Sequence, residues 1–222
     1  MKRRLCAVLP DVRYDALCAA AGNVSRETFE RLIAFEARFR RWNERINLVS
    51  ASTLNDFWRR HVLDSAQLLR LAPAGTGNWI DLGSGGGFPG LIVAFLLKDG
   101  RITMIESNRK KAGFLSAIAG EFNLPADILA VRIQDASRII EHAEVVSARA
   151  LAELPDLLGL AAPWLTTGAT GLFHKGRDYR DEIAKSARFW RFDLLEHVSV
   201  TDEEAVILQV NQLRRLEGVG KG

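Results

Sequence analysis

The residues with the greatest chemical potential lie between Asp81 and Gly90. Five of the eight residues after Leu82 are glycine, in the run Gly83-Ser84-Gly85-Gly86-Gly87-Phe88-Pro89-Gly90. Glycine lets a backbone turn tightly and approach a ligand with no Cβ in between. Pro89 suits the first turn of a helix, because its φ is preset and it has no N–H to leave unpaired. Trp79, Ile80 and Leu82 give the preceding residues strand character. A strand, loop and helix in this order present backbone N–H groups and a helix N-terminus to a polar or anionic ligand. Gly85, Gly87 and Gly90 have the spacing of a dinucleotide fingerprint, a weak signal alone. Asp81 argues the other way: a carboxylate at that strand end repels a pyrophosphate. It suits a cofactor with an amine or a sulfonium and no phosphate, such as S-adenosylmethionine. On this segment a methyl-donor site, a dinucleotide site and a merely structural turn all stay open.

Further candidates follow from the rule that open α/β sheets bind ligands at the carboxyl ends of their strands. Glu106 ends the next apolar run, 19 residues beyond Gly87, where a carboxylate accepts from ribose hydroxyls. After the third run, Gln134 or Asp135 is placed to meet an adenine edge, and Asp135 serves equally as a helix N-cap. Arg149 closes the apolar Glu144–Arg149 segment, so its guanidinium projects into the same crevice. It must be functional or paired, and Glu153 is the nearest carboxylate in sequence. Basic clusters (Arg38 to Arg45, Arg59-Arg60-His61, Arg109 to Lys111, and Lys175 with Arg177 and Arg180) are solvated faces or phosphate contacts. Lys175 and Arg177 lead this group because they follow a strand end, and Arg60 is a further candidate. His61 and Asp64, one helical turn apart, read as a local hydrogen bond rather than a metal or catalytic site.

The elements needed to hold these residues are visible in the periodicity. Apolar positions at Phe29, Leu32, Ile33 and Phe39 predict an amphipathic helix over 26–43 capped by Ser25, and 57–71 reads as another. Residues 1–78 contain no convincing strand, and Pro73, Gly75 and Gly77 mark a linker. Strands at 79–82, 101–106, 127–133, 144–149 and 170–174 alternate with helices at 88–98, 109–122, 136–141, 153–165 and 178–189, which implies a parallel, doubly wound sheet. Two β-rich runs, 192–200 and 205–210, have no helix between them and read as a closing antiparallel hairpin. The expected organisation is an N-terminal helical extension, 1–72, on an α/β unit, 73–222. With 48% hydrophobic and 26% charged residues the chain has ordinary globular composition. Cys6 and Cys18 are its only cysteines, without a Cys-x-x-Cys pair, which excludes a thiolate zinc site and favours a reducing compartment. The apolar stretch 88–97 is too short to span a bilayer, which takes about 20 residues, so a cytoplasmic location without a membrane partner is expected.

Together, Trp42-Asn43…Asn47-Leu48, His61…Asp64-Ser65, Asp81 through Gly90, Arg149-Ala150 and Lys175-Gly176 resemble the ribosomal small-subunit methyltransferase G family, also called glucose-inhibited division protein B. The likeness runs from about residue 29 to 210. It implies a Rossmann-like class I methyltransferase fold, S-adenosylmethionine as cofactor, no metal, and 7-methylguanosine in the 530 loop of 16S rRNA as product. It implies a 16S rRNA partner, within the 30S subunit or an assembly intermediate, and a monomer. The family's cofactor positions fall on Gly83, Phe88, Ile133, Gln134 and Arg149, to which the loop and strand ends add Asp81, Gly85 and Glu106. Gln134 stands where the family usually has an acid, and Ala148 where it often has serine. Guanine N7 already carries a free lone pair, so this chemistry needs no general base, and none is assigned. The chain also lacks the Asn/Asp-Pro-Pro-aromatic motif of amino-group methylation. Three other readings stay available on the residues: a small-molecule methyltransferase, an NAD-dependent oxidoreductase, and a non-enzymatic ribosome assembly factor.

Overall fold

The computed structural model describes residues 11–216; Cys6 and the rest of the first ten residues lie outside them. Seven strands form one sheet: β1 Asn78–Leu82, β2 Arg101–Ile105, β3 Ala126–Leu129, β4 Val145–Arg149, β5 Thr170–Lys175, β6 Trp190–Val198 and β7 Val206–Arg215. Their order is β3-β2-β1-β4-β5-β7-β6. The first five are parallel, β7 runs antiparallel to β5, and the β6–β7 hairpin closes that edge as expected.

The helices are α1 Val12–Ala21, α2 Arg26–Ile46, α3 Ala51–Asn55, α4 Asp64–Ala66, α5 Leu68–Leu71, α6 Gly90–Leu96, α7 Arg109–Glu121, α8 Ile133–Ala136, α9 Leu154–Leu165 and α10 Tyr179–Ser186. Sequence periodicity missed α1, whose apolar face is narrow: only Leu17 and Ala20 are buried. Ser25 caps α2 by accepting from the Thr28 amide. This helix runs three residues past the expected stop, to Ile46, and ends where Asn47 takes a left-handed φ of 47°. The Asn43 side chain then accepts from the Leu48 and Val49 amides and fixes the chain leaving the helix.

The predicted helix over 57–71 is a broken one. Its first part, Trp58–Leu63, is a π-helical turn, followed by α4 and α5. The third strand is shorter than the expected 127–133, because its only partner runs out: Leu129 pairs Ile105, the last residue of β2. Ile133, the last residue of the expected strand, opens α8 instead, with Arg132 and not Asp135 at the N-cap.

Side chains alternate across the sheet, and each face has its own core. Trp79, Met104, Val145 and Leu172 face α1–α7, where Phe35, Phe39, Phe57, Phe88, Phe95 and Phe114 form a continuous aromatic cluster. Ile80, Ile105, Val146 and Phe173 face the opposite layer, with Leu157, Leu158 and Trp164 of α9. The N-terminal helices therefore share a core with the sheet. Among the described residues no helix is long and apolar enough to cross a membrane.

Candidate active site

A cavity of about 1060 Å³ opens at the carboxyl ends of the parallel strands. The residues after β1 form its floor. Gly83, Gly85 and Gly87 have φ of 63°, 54° and 89°, a left-handed region costly for any residue with a Cβ. A Cβ on Gly83 would also stand 2.6 Å from Leu151 Cδ1, and one on Gly86 3.0 Å from the Leu48 carbonyl. The loop is thus packed from both sides as well as turned tightly.

Glu106 borders the cavity and is tied to this loop: its Oε2 accepts from the Gly85 amide at 2.8 Å and its Oε1 from the Asn108 amide at 2.6 Å. Each carboxylate oxygen retains a further lone pair, so the group is held in place yet can still accept from a ligand's hydroxyls. Phe88, Ile133, Gln134 and Arg149 also line the cavity, whereas Asp135 does not. Gln134 is therefore the polar side chain that α8 brings to this wall.

Asp81 stands elsewhere than expected. It is fully buried beneath the loop, and its Oδ1 accepts from Ser147 Oγ at 2.7 Å. Ser147 in turn accepts from Trp79 Nε1 at 2.9 Å. Oδ2 makes no hydrogen bond of good geometry, although the Gly90 amide lies close enough to favour its charge. Burial pushes the carboxyl up to about 6, partly offset by the serines and that amide. The alternation of β1 explains the placement, since Asp81 points with Trp79 into the layer below α6.

Arg149 is the centre of a polar cluster that the sequence did not reveal. Its partner is Asp64, not Glu153: Nη1 lies 2.9 Å from Asp64 Oδ2, while Glu153 pairs with Lys185. Nη1 also donates to the Arg60 carbonyl at 2.7 Å, and Nη2 faces His61 Nδ1 at 2.8 Å. A π turn redirects backbone carbonyls and recurs at functional sites; here it brings the Arg60 carbonyl and the His61 ring to the same guanidinium. His61 stacks on Phe88 at 4.5 Å, and Arg149 lies 5.7 Å above the same ring. Burial, then the Arg149 charge, depress His61 to about 3, so it is neutral and accepts through Nδ1. Burial also lowers Arg149, an effect that Asp64 opposes.

Asp64 reaches further. Its Oδ1 accepts from Gln67 Nε2 and Thr201 Oγ1, and its carbonyl meets His174 Nε2 at 2.8 Å. His61 and Asp64 thus each bind Arg149 rather than one another. Among the described residues no group of three or more histidine, cysteine or acidic side chains is placed to hold a metal.

The basic candidates are differently placed. Lys175 is buried in the cavity wall, donating to the Ala152 carbonyl and to Glu182 Oε2. Arg60 and Arg177 are exposed but paired with Asp202 and Glu204 of the β6–β7 turn. Arg109 and Lys110, exposed at the start of α7, have no carboxylate partner among the described residues.

A five-stranded parallel sheet closed by an antiparallel hairpin, with a glycine loop after β1 and a carboxylate after β2, defines a Rossmann-like class I methyltransferase. Solved structures agree on the fold. The chain superposes on a fibrillarin/Nop5p complex with a TM-score of 0.55 (14% identity, 69% of this chain and 81% of that one). It superposes on a SAM-dependent O-methyltransferase from Thermotoga maritima with a TM-score of 0.53 (16% identity, 69% and 66%).

Sequence comparison is more specific. A family model for rRNA small subunit methyltransferase G matches residues 28–211. Ribosomal RNA small subunit methyltransferase G of Chelativorans sp. (strain BNC1) is 53% identical over 207 residues, 92% of this chain and 98% of the relative. The protein of that name from Brucella canis is 51% identical over 208 residues, 92% and 97%. The chain belongs to the rRNA small subunit methyltransferase G family.

Proposed function

We propose that this protein methylates N7 of a guanine in the 530 loop of 16S rRNA, with S-adenosylmethionine as donor, acting in the cytoplasm as a monomer on the 30S subunit or an assembly intermediate. The observation that carries the cofactor is the Glu106 carboxylate fastened to the Gly85 amide at the edge of the glycine loop. When bound, that cofactor supplies an electrophilic methyl group on a sulfonium. Glu106 would accept from its ribose hydroxyls, Ile133 and Gln134 would hold the adenine, and Gly83, Gly85 and Phe88 would contact it from the loop. Arg149 would hold its polar end, with the buried Asp81 behind the loop. The cavity exceeds the usual ~300–1,000 Å³ of a small-ligand pocket, which leaves room for a base beside the cofactor.

The residues act by positioning. Neither cavity histidine is suited to proton transfer: His61 is held neutral with Nδ1 against Arg149, and His174 is buried with Nε2 on the Asp64 carbonyl. Guanine N7 requires no proton removal, and in-line orientation alone is worth ~7–11 kcal/mol of barrier. For the RNA, Arg109 and Lys110 offer phosphates a charge that no acid among the described residues pairs with, unlike Arg60 and Arg177.

The substrate is tested by borohydride reduction and aniline cleavage of 16S rRNA from cells with and without the protein. Cleavage in the 530 loop should vanish with the protein; unchanged cleavage refutes the assignment. Calorimetry should give binding of S-adenosylmethionine and none of NAD.

A further inference from the structure

We propose that Lys175 and Glu182 read the target base as guanine, gripping its Watson–Crick edge and leaving N7 free. This rests on the guanine-N7 reading above. Lys175 ends β5 and points to the face opposite His174, toward α9 and α10, where Glu182 meets it at 2.6 Å. Both line the cavity and are mostly buried, with side chains 7% and 16% exposed.

A structural role accounts for only part of this pair. Glu182 Oε2 accepts from the Leu154 amide at the start of α9 and from Lys175 Nζ, and Nζ also donates to the Ala152 carbonyl. That leaves Glu182 Oε1 and the third ammonium proton. Oε1 has no hydrogen bond among the described residues and is not sealed from solvent, and Glu182 is one of the residues that line the cavity. An ammonium carries three donors, two of which are used. The wall therefore offers a fixed acceptor beside a fixed donor.

Guanine matches that pattern: its N1–H and N2–H share the two open lone pairs of Glu182 Oε1 while O6 accepts from the ammonium. Adenine inverts it, with a bare N1 toward the carboxylate and an amino group toward the ammonium. A backbone phosphate fits worse than either, because the Glu182 carboxylate would repel it. Buried ion pairs add little net stability, so fold stability alone does not explain keeping one here.

The test uses 30S subunits reconstituted with guanosine or inosine at the target position; inosine keeps N7 and O6 but lacks the N2 amino group. The wild-type protein should favour guanosine by about ten- to a hundredfold in kcat/KM, the value of one hydrogen bond to a charged group. Glu182→Gln should reduce that preference to within about threefold, and Lys175→Met should slow both substrates while preserving it. Calorimetric affinity for S-adenosylmethionine, unchanged in both variants, verifies that they fold. A wild-type enzyme indifferent to inosine, or a Glu182→Gln variant with full preference for guanosine, overturns the proposal; the latter is what a purely structural role gives. Absence of N7 methylation on guanosine itself would count against the underlying reading instead.

Discussion

Breaking the contact between Asp64 and Arg149 tests the idea that the N-terminal helices complete the site. Arg149 is 19% exposed and Asp64 15%, and the pair is closed at 2.9 Å. Removing one member of a buried pair strands the other charge at a cost of about 3–5 kcal/mol. Because this pair borders an open cavity, and because Arg149 keeps the Arg60 carbonyl, about 2–3 kcal/mol is expected for Asp64→Asn. Arg149→Met leaves Asp64 with Gln67 and Thr201 as donors, so its own cost should be smaller. The double variant removes both charges, so its loss should fall well below the sum of the two single losses, giving an interaction energy of at least ~1.5 kcal/mol in magnitude. Urea unfolding of the four proteins at pH 7.5 measures it. Repeating the cycle in 1 M salt separates a buried pair, which persists, from a surface one, which is screened. An interaction energy below about 0.5 kcal/mol, the level at which independent sites simply add, would falsify the pairing argued here.

Five further outcomes are expected. Gly90→Ala would bring a Cβ to 2.7 Å from Asp81 Oδ2 and from Met104 Sδ, costing about 1–3 kcal/mol in unfolding experiments. Gly85→Ala meets nothing closer than 3.6 Å but must hold φ at 54°, so it should cost only ~1–2 kcal/mol and weaken cofactor binding more than stability. His61 is neutral in the fold with its pKa lowered from 6.5 to about 3. Its contribution is therefore present above pH 6.5 and lost as pH falls toward 3, and His61→Gln should flatten the decline in urea midpoint between those values. Asp81 has the opposite sign: with a pKa raised from 3.8 to about 6, it favours the fold below 3.8 and loses that favour as pH rises through 6. At ~1.4 kcal/mol per pH unit, Asp81→Asn should gain roughly 3 kcal/mol on wild type between pH 3.5 and 7.5, and a constant difference would refute the protonation argument. Finally, Arg109→Glu with Lys110→Glu should lower the slope of log affinity for rRNA against log salt by about 1.5–2 with cofactor affinity intact. Arg177→Glu should do much less, since Glu204 already lies 2.6 Å from that guanidinium.

The sheet was legible in the sequence because it is written in local terms: apolar runs, glycine stops and a proline-opened helix. The placement of Gly83, Gly85 and Glu106 at the carboxyl ends of β1 and β2 was legible for the same reason. Two kinds of feature escaped. Strand length depends on the neighbour, so the run through Ile133 looked like strand although pairing stops at Leu129. Side-chain partners depend on the face. Glu153 is four residues from Arg149 and Asp64 is 85 away, yet Arg149 lies on the sheet face that carries the N-terminal helices. Glu182 gave no signal at all, being one acid among several in a charged helix.

That geometry also changes what the N-terminal segment is. An appended helical domain would meet the sheet through apolar contacts alone and leave the strand ends to themselves. Here the π turn carries the Arg60 carbonyl, His61 and, just beyond it, Asp64 to the end of β4. Asp64 continues to β5 through His174 and to the β6–β7 turn through Thr201. Through its carboxylate and its backbone carbonyl, one aspartate therefore ties together four segments that are far apart in the chain, all at the cavity's edge. The stacking of His61 on Phe88 then carries the same constraint into the glycine loop. The extension is thus a wall of the site, and the methyltransferase sheet without it would lack the groups that hold Arg149 in place.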